Sequence, residues 1–392
     1  MPIDEPRDPA DMATDTRLDT ALGAAADAVR GPGLTLLWHP DVDRIGERAP
    51  LAALASGRSA ELSRLTPEFM QPGGGVRRPL GESRLSRAPI RLVPAPGGDG
   101  VRLEAAGSRT PVDVDGRPLG EVRDVSADRL DRGAVLLLGG RVVLLLHRLD
   151  PQVPDLPHYG LVGESPGLLR VRSAIRQVAD LDVTVLMRGA TGTGKELVAR
   201  ALHDASPRRG GPFVAVNMAA VPASLAAAEL FGAAKGAFTG ADRQRAGYFR
   251  RAEGGTLFLD EVGETPTEIQ ALMLRALETR EIQPVGGDRP KRVDVRVLSA
   301  TDLDLESAVD DDRFRGPLLY RLSGYVLRLP TLDERREDFG RLLIHFLRRE
   351  LDAVGEPERL DPPTSWFPAA LCARLALLDW RGNVRQLANN AR

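Results

Sequence analysis

Apolar positions along the chain change their rhythm partway. Between about residues 31 and 150 they fall in short runs, Leu34-Thr35-Leu36-Leu37-Trp38, Ile90-Arg91-Leu92-Val93, Val112-Asp113-Val114 and Val135-Leu136-Leu137-Leu138. Gly- and Pro-rich turns such as Pro96-Gly97-Gly98-Asp99-Gly100 separate them. Short runs bounded by turn residues predict strands, and their succession predicts an all-β sandwich over 31–150. Asp150 to Pro157 then carries three prolines, which predicts an extended linker over 151–160. Beyond it, strands alternate with helices. Val183-Thr184-Val185-Leu186-Met187 leads through a glycine-rich turn into a helix with Leu197, Val198, Ala201 and Leu202 on one face. Thr256-Leu257-Phe258-Leu259 ends in two carboxylates. Thr265, Pro266 and Glu268 form a helix start with a capping box, followed by an apolar face of Ile269, Leu272, Met273, Ala276 and Leu277. Val293 to Leu298 supplies a third strand. This alternation predicts a parallel α/β core over 161–330 with its ligand at the carboxyl ends of the strands. Residues 331–392 read as a helical lid, and residues 1–30, polar or Ala-rich without a sustained period, as a flexible leader.

A length of 392 residues suggests two or three domains. Acidic and basic residues nearly cancel, for a formal charge of -2, so the chain as a whole is not drawn to nucleic acid or membrane by its charge. Cys372 stands alone, which excludes an internal disulfide framework. No apolar stretch approaches the roughly 18 residues that a membrane span needs. The acidic, Pro-rich start lacks the basic-then-apolar order of a signal peptide, and the expected location is the cytoplasm.

The candidate chemistry lies in the α/β region. Gly189-Ala190-Thr191-Gly192-Thr193-Gly194-Lys195-Glu196 fits a phosphate loop, although Glu196 takes the position usual for Ser or Thr. Glycines let backbone N–H groups converge on phosphate oxygens at a helix N-terminus, and Lys195 adds a point charge for the terminal phosphates. A ligand-free glycine turn would share the composition, but a strand before it and an amphipathic helix after it favour nucleotide binding. Asp260 and Glu261, delivered by a buried strand, suit Mg²⁺ binding and polarisation of the attacking water respectively.

Resemblance adds detail here. Gly236-Ala237-Phe238-Thr239-Gly240-Ala241 resembles the signature loop of bacterial enhancer-binding proteins, the AAA+ activators of sigma-54 RNA polymerase. It falls between Phe213-Val214-Ala215-Val216-Asn217 and Gly254 to Glu261, and similarity continues through Arg296 to Thr301, Phe314-Arg315, Tyr320-Arg321-Leu322, Arg335 to Asp338 and Trp380 to Leu387. The resemblance covers about 161–392. It implies ATP and Mg²⁺ as cofactors, sigma-54 holoenzyme as the partner of the loop, and a homo-oligomer, expected to be a hexamer. Asn217 would hold Glu261 as a switch, Arg315 and Arg321 would act as arginine fingers on a neighbouring subunit's nucleotide, and Thr301, Asp302 and Arg385 would sense nucleotide. The sequence departs from the family at Met218, where cysteine is common, and at Asp302, where asparagine is usual. An ionised carboxylate at that point would repel the γ-phosphate and cannot donate to it, so hydrolysis is expected to be slow. The lid looks truncated, and no DNA-binding domain is seen, so promoter DNA would be engaged only indirectly.

The β-rich region resembles a forkhead-associated domain through Ile45-Gly46-Glu47-Arg48 and Leu85-Ser86-Arg87-Ala88-Pro89, with Pro89 in place of the usual histidine. That resemblance implies a phosphothreonine protein as partner, with Arg48, Ser86 and Arg87 donating to the phosphate. Two functions follow: an ATP-hydrolysing sigma-54 activator, or an ATP-responsive phosphopeptide adaptor with little turnover.

Overall fold

A computed structural model describes residues 30–105, 107–150, 154–236, 245–360 and 366–392. The expected leader apart from Arg30, part of the linker and most of the signature loop, Ala237, Phe238, Thr239, Gly240 and Ala241, lie outside the described residues. The chain divides into two compact units. One holds His158–Leu161 and Arg170–Leu329; the other joins the β-rich region up to Pro157 with Val162–Leu169 and Pro330–Arg392.

In the β-rich region the strands are β1 (Gly31–Trp38), β2 (Arg48–Pro50), β3 (Ala60–Leu62), β4 (Ile90–Pro94) and β5 (Val101–Glu104). β6 (Val112–Val114), β7 (Arg117–Pro118), β8 (Val122–Val125), β9 (Ala134–Leu138) and β10 (Val142–Leu149) complete it. They form a six-stranded sheet in the order β2-β1-β10-β9-β6-β7 and a four-stranded sheet in the order β3-β4-β5-β8. Leu34 and Leu36 of β1, Leu136 and Leu138 of β9, and Val142, Leu144 and Leu146 of β10 share one core with Leu92, Val101 and Leu103 of the smaller sheet. This is the sandwich that the short runs predict.

The ATPase-like unit follows the expected alternation. It contains α1 (Pro166–Val178), β11 (Val185–Arg188), α2 (Lys195–Asp204), β12 (Phe213–Asn217), α3 (Ala223–Phe231) and β13 (Thr256–Asp260). Then come α4 (Thr267–Thr279), the small β14 (Glu281–Ile282) and β15 (Lys291–Arg292), β16 (Arg296–Thr301), α5 (Gly316–Leu322) and β17 (Tyr325–Arg328). Five strands lie parallel in the order β12-β13-β16-β11-β17. All six residues of β16 are buried, as a central parallel strand covered on both faces requires. Arg296 begins it, 3% exposed, and donates to the carbonyls of Val178 and Ala179 at 2.7 Å. A guanidinium there satisfies carbonyls at the end of α1 and opposes the negative end of its dipole.

Local expectations needed two corrections. Val198, Ala201 and Leu202 of α2 are buried, but Leu197 is 58% exposed; on α4, Leu272 is likewise 45% exposed. Thr265 does not cap α4. Its hydroxyl donates to the carbonyl of Val262 at 2.7 Å, and Pro266 takes the cap position without a side-chain bond.

The C-terminal helices α6 (Phe339–Val354) and α7 (Ala369–Leu375) pack on the sandwich, and α8 (Asn383–Asn390) packs on α6. Leu37 and Trp38 of β1, Val135 of β9, and Val143 and Leu145 of β10 join Phe339, Leu343, Phe346, Phe367, Cys372 and Trp380 in one apolar core. The alternating residues of these strands thus bury both faces of the larger sheet. Trp38 and Phe367 meet with ring centroids 4.8 Å apart. Gly340 is required by close approach, because a Cβ there would lie 2.8 Å from the carbonyl carbon of Leu37. Asp338 Oδ1 accepts from the N–H groups of Glu164 at 2.6 Å and Ser165 at 3.0 Å, capping the chain into α1.

Candidate functional site

The carboxyl ends of the five parallel strands gather the predicted residues at one sheet edge. β11 runs into Gly189–Gly194, β12 ends at Asn217, β13 at Asp260 and β16 at Thr301. This convergence follows from topology, since parallel strands point all their carboxyl ends the same way. Gly194, immediately before α2, has φ 105°, a conformation that a Cβ would oppose. The turn is tightened by Thr193, whose hydroxyl donates to the carbonyl of Ala190 at 2.8 Å. Gly189 N–H donates to the carbonyl of Thr301 at 3.3 Å, tying the loop to β16. Glu196 is exposed on the first turn of α2.

Lys195 is 7% exposed; its Nζ donates to the carbonyl of Gly189 at 2.9 Å and lies 3.6 Å from Glu261 Oε1. Glu261 occupies the left-handed region at φ 51°, uncommon for a residue with a side chain, and its N–H donates to Asp260 Oδ1 at 3.1 Å. Burial holds its carboxyl above the usual range; Lys195 opposes that shift, while Asp302 and Asp260 add to it. A carboxylate with a raised pKa beside a lysine is suited to accept a proton from water near neutral pH. Thr191 donates its hydroxyl to Asp302 Oδ2 at 2.6 Å. That bond, followed by the ammonium of Lys195, holds the Asp302 carboxyl below the usual range.

Among the described residues no group of three or more His, Cys, Asp or Glu side chains could hold a metal ion. Asp260 alone at the strand end fits a Mg²⁺ bound by one carboxylate together with phosphate oxygens and water, as this ion is commonly held beside nucleotides.

Four further residues with expected roles are bonded within the chain or exposed. Asn217 pairs in register with Asp260, but its Oδ1 accepts from Ala219 N–H at 2.9 Å, so its side chain is engaged by its own turn rather than by Glu261. Arg321 donates to the carbonyl of Leu277 at 3.1 and 3.2 Å, a bond within its own chain. Arg315 is exposed at the start of α5, where its backbone N–H donates at 2.8 Å to Gln270, a fully buried side chain that sequence reading missed. A polar residue on the core face of α4 was the available signal. Arg385 is exposed on α8, in the other unit.

In the sandwich, Arg48 is not free for an anion: it donates to the carbonyl of Glu164 at 2.9 Å and lies within electrostatic reach of Glu337. Ser86 Oγ accepts from Ala88 N–H at 3.0 Å, and Arg87 is exposed. A buried ion pair joins Arg44 to Glu47 there, at 2.8 Å.

Residues 161–328 match the family described as the Sigma-54 interaction domain. The DNA-binding transcriptional regulator NtrC of Escherichia coli (strain K12) is 46% identical over 237 residues, covering 60% of this chain and 49% of that protein. The transcriptional regulatory protein GlrR of the same organism is 46% identical over 244 residues, covering 62% of this chain and 54% of that protein. A crystal structure of NtrX from Brucella abortus in complex with ATP superposes with a TM-score of 0.53 at 37% identity, over 59% of this chain and 49% of that one. The chain spans about half the length of the curated relatives it matches.

Proposed function

We propose that this chain, whose residues 161–328 form an AAA+ P-loop ATPase module, uses ATP hydrolysis to remodel sigma-54 RNA polymerase holoenzyme and open promoters. The observation that carries the reading is the meeting of Lys195 and Glu261 beside Asp260 at the edge fed by the glycine loop. The N–H groups of the glycine loop that are not bonded to Thr301 or within the loop bind the phosphates, and Lys195 balances their charge. Asp260 would hold Mg²⁺, which supplies neutralisation of charge on the phosphate oxygens. Glu261 orients and deprotonates the attacking water. Arg315, exposed in a single subunit, reaches the nucleotide of a neighbour in a ring, expected to be a hexamer, and Arg321 joins it once its bond to Leu277 is released. Asn217 takes up Glu261 after leaving Ala219, Thr301 and Asp302 border the terminal phosphate, and Arg385 reports nucleotide from the lid.

Phe238 and Thr239, flanked by Gly236-Ala237 and Gly240-Ala241, carry motion to sigma-54 in this reading. Its test is uncoupling. Phe238→Ala and Thr239→Ala are expected to keep ATPase activity while losing sigma-54 binding in the presence of ADP and aluminium fluoride; variants that bind sigma-54 as the parent does would overturn it. The adaptor reading is not favoured, because the acidic pair needed for hydrolysis is in place. We do not extend the proposal to a phosphothreonine partner, since Arg48 is committed to Glu164.

A further inference from the structure

A hydrogen bond from Thr191 to Asp302 links the glycine loop to the end of β16 at the proposed nucleotide site. Thr191 belongs to the glycine loop and Asp302 follows β16, so the 2.6 Å bond joins the two walls of the site on the side of Lys195 and Glu261. The local charge is unbalanced. Asp260, Glu261 and Asp302 bring three carboxyl groups to an edge where Lys195 is the neighbouring ammonium. Arg188, the other cation at the end of β11, is held in a bidentate pair by Glu306 at 2.7 Å and cannot compensate. A diphosphate needs the loop N–H groups and Lys195, and it can leave Thr191 on Asp302. A triphosphate whose terminal group entered between Thr191 and Asp302 would break that bond and bring its charge against a carboxylate.

We propose that Asp302 makes this pocket select nucleoside diphosphate over triphosphate, with Thr191 as the latch that holds the carboxylate across the terminal-phosphate position. The inference rests on the ATPase reading of the site and specifies its nucleotide preference and regulation: the resting subunit favours the product state, and loading of triphosphate is the step opposed. One added unit of like charge at contact range, screened nearly as in bulk water, weakens binding about five- to tenfold. Asp302 is here a specificity-determining residue, and its effect is electrostatic, so the preference must fade as salt rises.

The experiment is equilibrium displacement of a fluorescent ADP from the full chain by unlabelled ADP and by a non-hydrolysable ATP analogue, in magnesium buffer. Asp302→Asn, which keeps the side-chain shape, is expected to tighten the triphosphate analogue about five- to tenfold and to shift ADP by less than about twofold. The parent's preference for ADP should shrink with added salt, and that of Asp302→Asn should not. Equal shifts for both nucleotides, no shift, or a salt-independent preference would overturn the inference. Lys195→Ala separates the two levels. If it binds both nucleotides as the parent does, or if the parent binds neither, the nucleotide site itself is wrong and the inference falls with it. If binding depends on Lys195 while Asp302→Asn leaves the ratio unchanged, only the selectivity assigned to Asp302 is wrong.

Discussion

The nucleotide edge and the shared core of the sandwich and C-terminal helices are built in opposite ways. At the edge, each functional group sits in a short contiguous motif at the end of its own strand, and the parallel topology does the gathering. In the shared core, contacts join residues hundreds of positions apart: Leu37 and Trp38 meet Gly340, Phe367 and Cys372. A single exchange at the edge should therefore remove one chemical step and leave the fold intact. A single exchange in the shared core should loosen two regions that the sequence presents as separate domains.

The largest expected effect is at the edge. Lys195→Ala should weaken nucleotide binding by about a hundredfold or more, since it deletes the charge closest to the phosphates, whereas Glu261→Ala should bind normally and lose about a hundredfold or more in turnover. Calorimetric titration alongside steady-state hydrolysis checks the split, and equal loss of affinity in both variants would merge roles kept apart here. In the shared core, Trp38→Ala removes a 2% exposed indole and should cost about 3–5 kcal/mol. Denaturant unfolding followed by a probe in α6 and another in the sandwich should show the two shifting together. Separate transitions would mean that the sheet and the helices are not one cooperative body.

A smaller effect concerns pH. Burial and the neighbouring Asp338 push the Glu337 carboxyl up to about 7, with Arg48 and Arg30 opposing the shift. Because the folded value lies above the unfolded one, the protonated group's contribution to stability is complete below about pH 4 and is lost as pH rises through 7. Stability of the second unit should then fall by about 1–3 kcal/mol between pH 5 and pH 8, and Glu337→Gln should flatten the profile. A parent profile already flat over that range would contradict it. Least disruptive is Asp302→Asn, which should speed hydrolysis about tenfold by exchanging a repelling carboxylate for a neutral donor. Single-turnover kinetics at saturating ATP would check it, and a slower variant would show that Asp302 assists the reaction.

The same contrast explains what could be read from the chain. The phosphate loop, Asp260 and Glu261 were legible because their chemistry needs contiguous residues between a strand and a helix. The bonds of Asn217 to Ala219 and Arg321 to Leu277 were not, because either side chain could equally turn outward and only packing decides. Leu272 and Leu197 mislead for a related reason: helical periodicity gives a face, but not how far its neighbours cover it. The merger of sandwich and helices had one signal. Val142 to Leu146 is an unbroken apolar run, where a sheet with one wet face would alternate. Which element covered the second face was set by residues near position 340 and beyond, outside the reach of any local pattern.

The central claim is that hydrolysis at this edge drives remodelling of sigma-54 holoenzyme. Open-complex formation by purified sigma-54 holoenzyme on a dependent promoter, followed by permanganate reactivity of the melted strand, tests it most directly. Parent chain with ATP should melt the promoter; parent with the non-hydrolysable analogue, and Glu261→Ala with ATP, should leave it closed. A parent chain that hydrolyses ATP at full rate without melting any sigma-54 promoter, or Glu261→Ala melting it as well as the parent, would contradict the account.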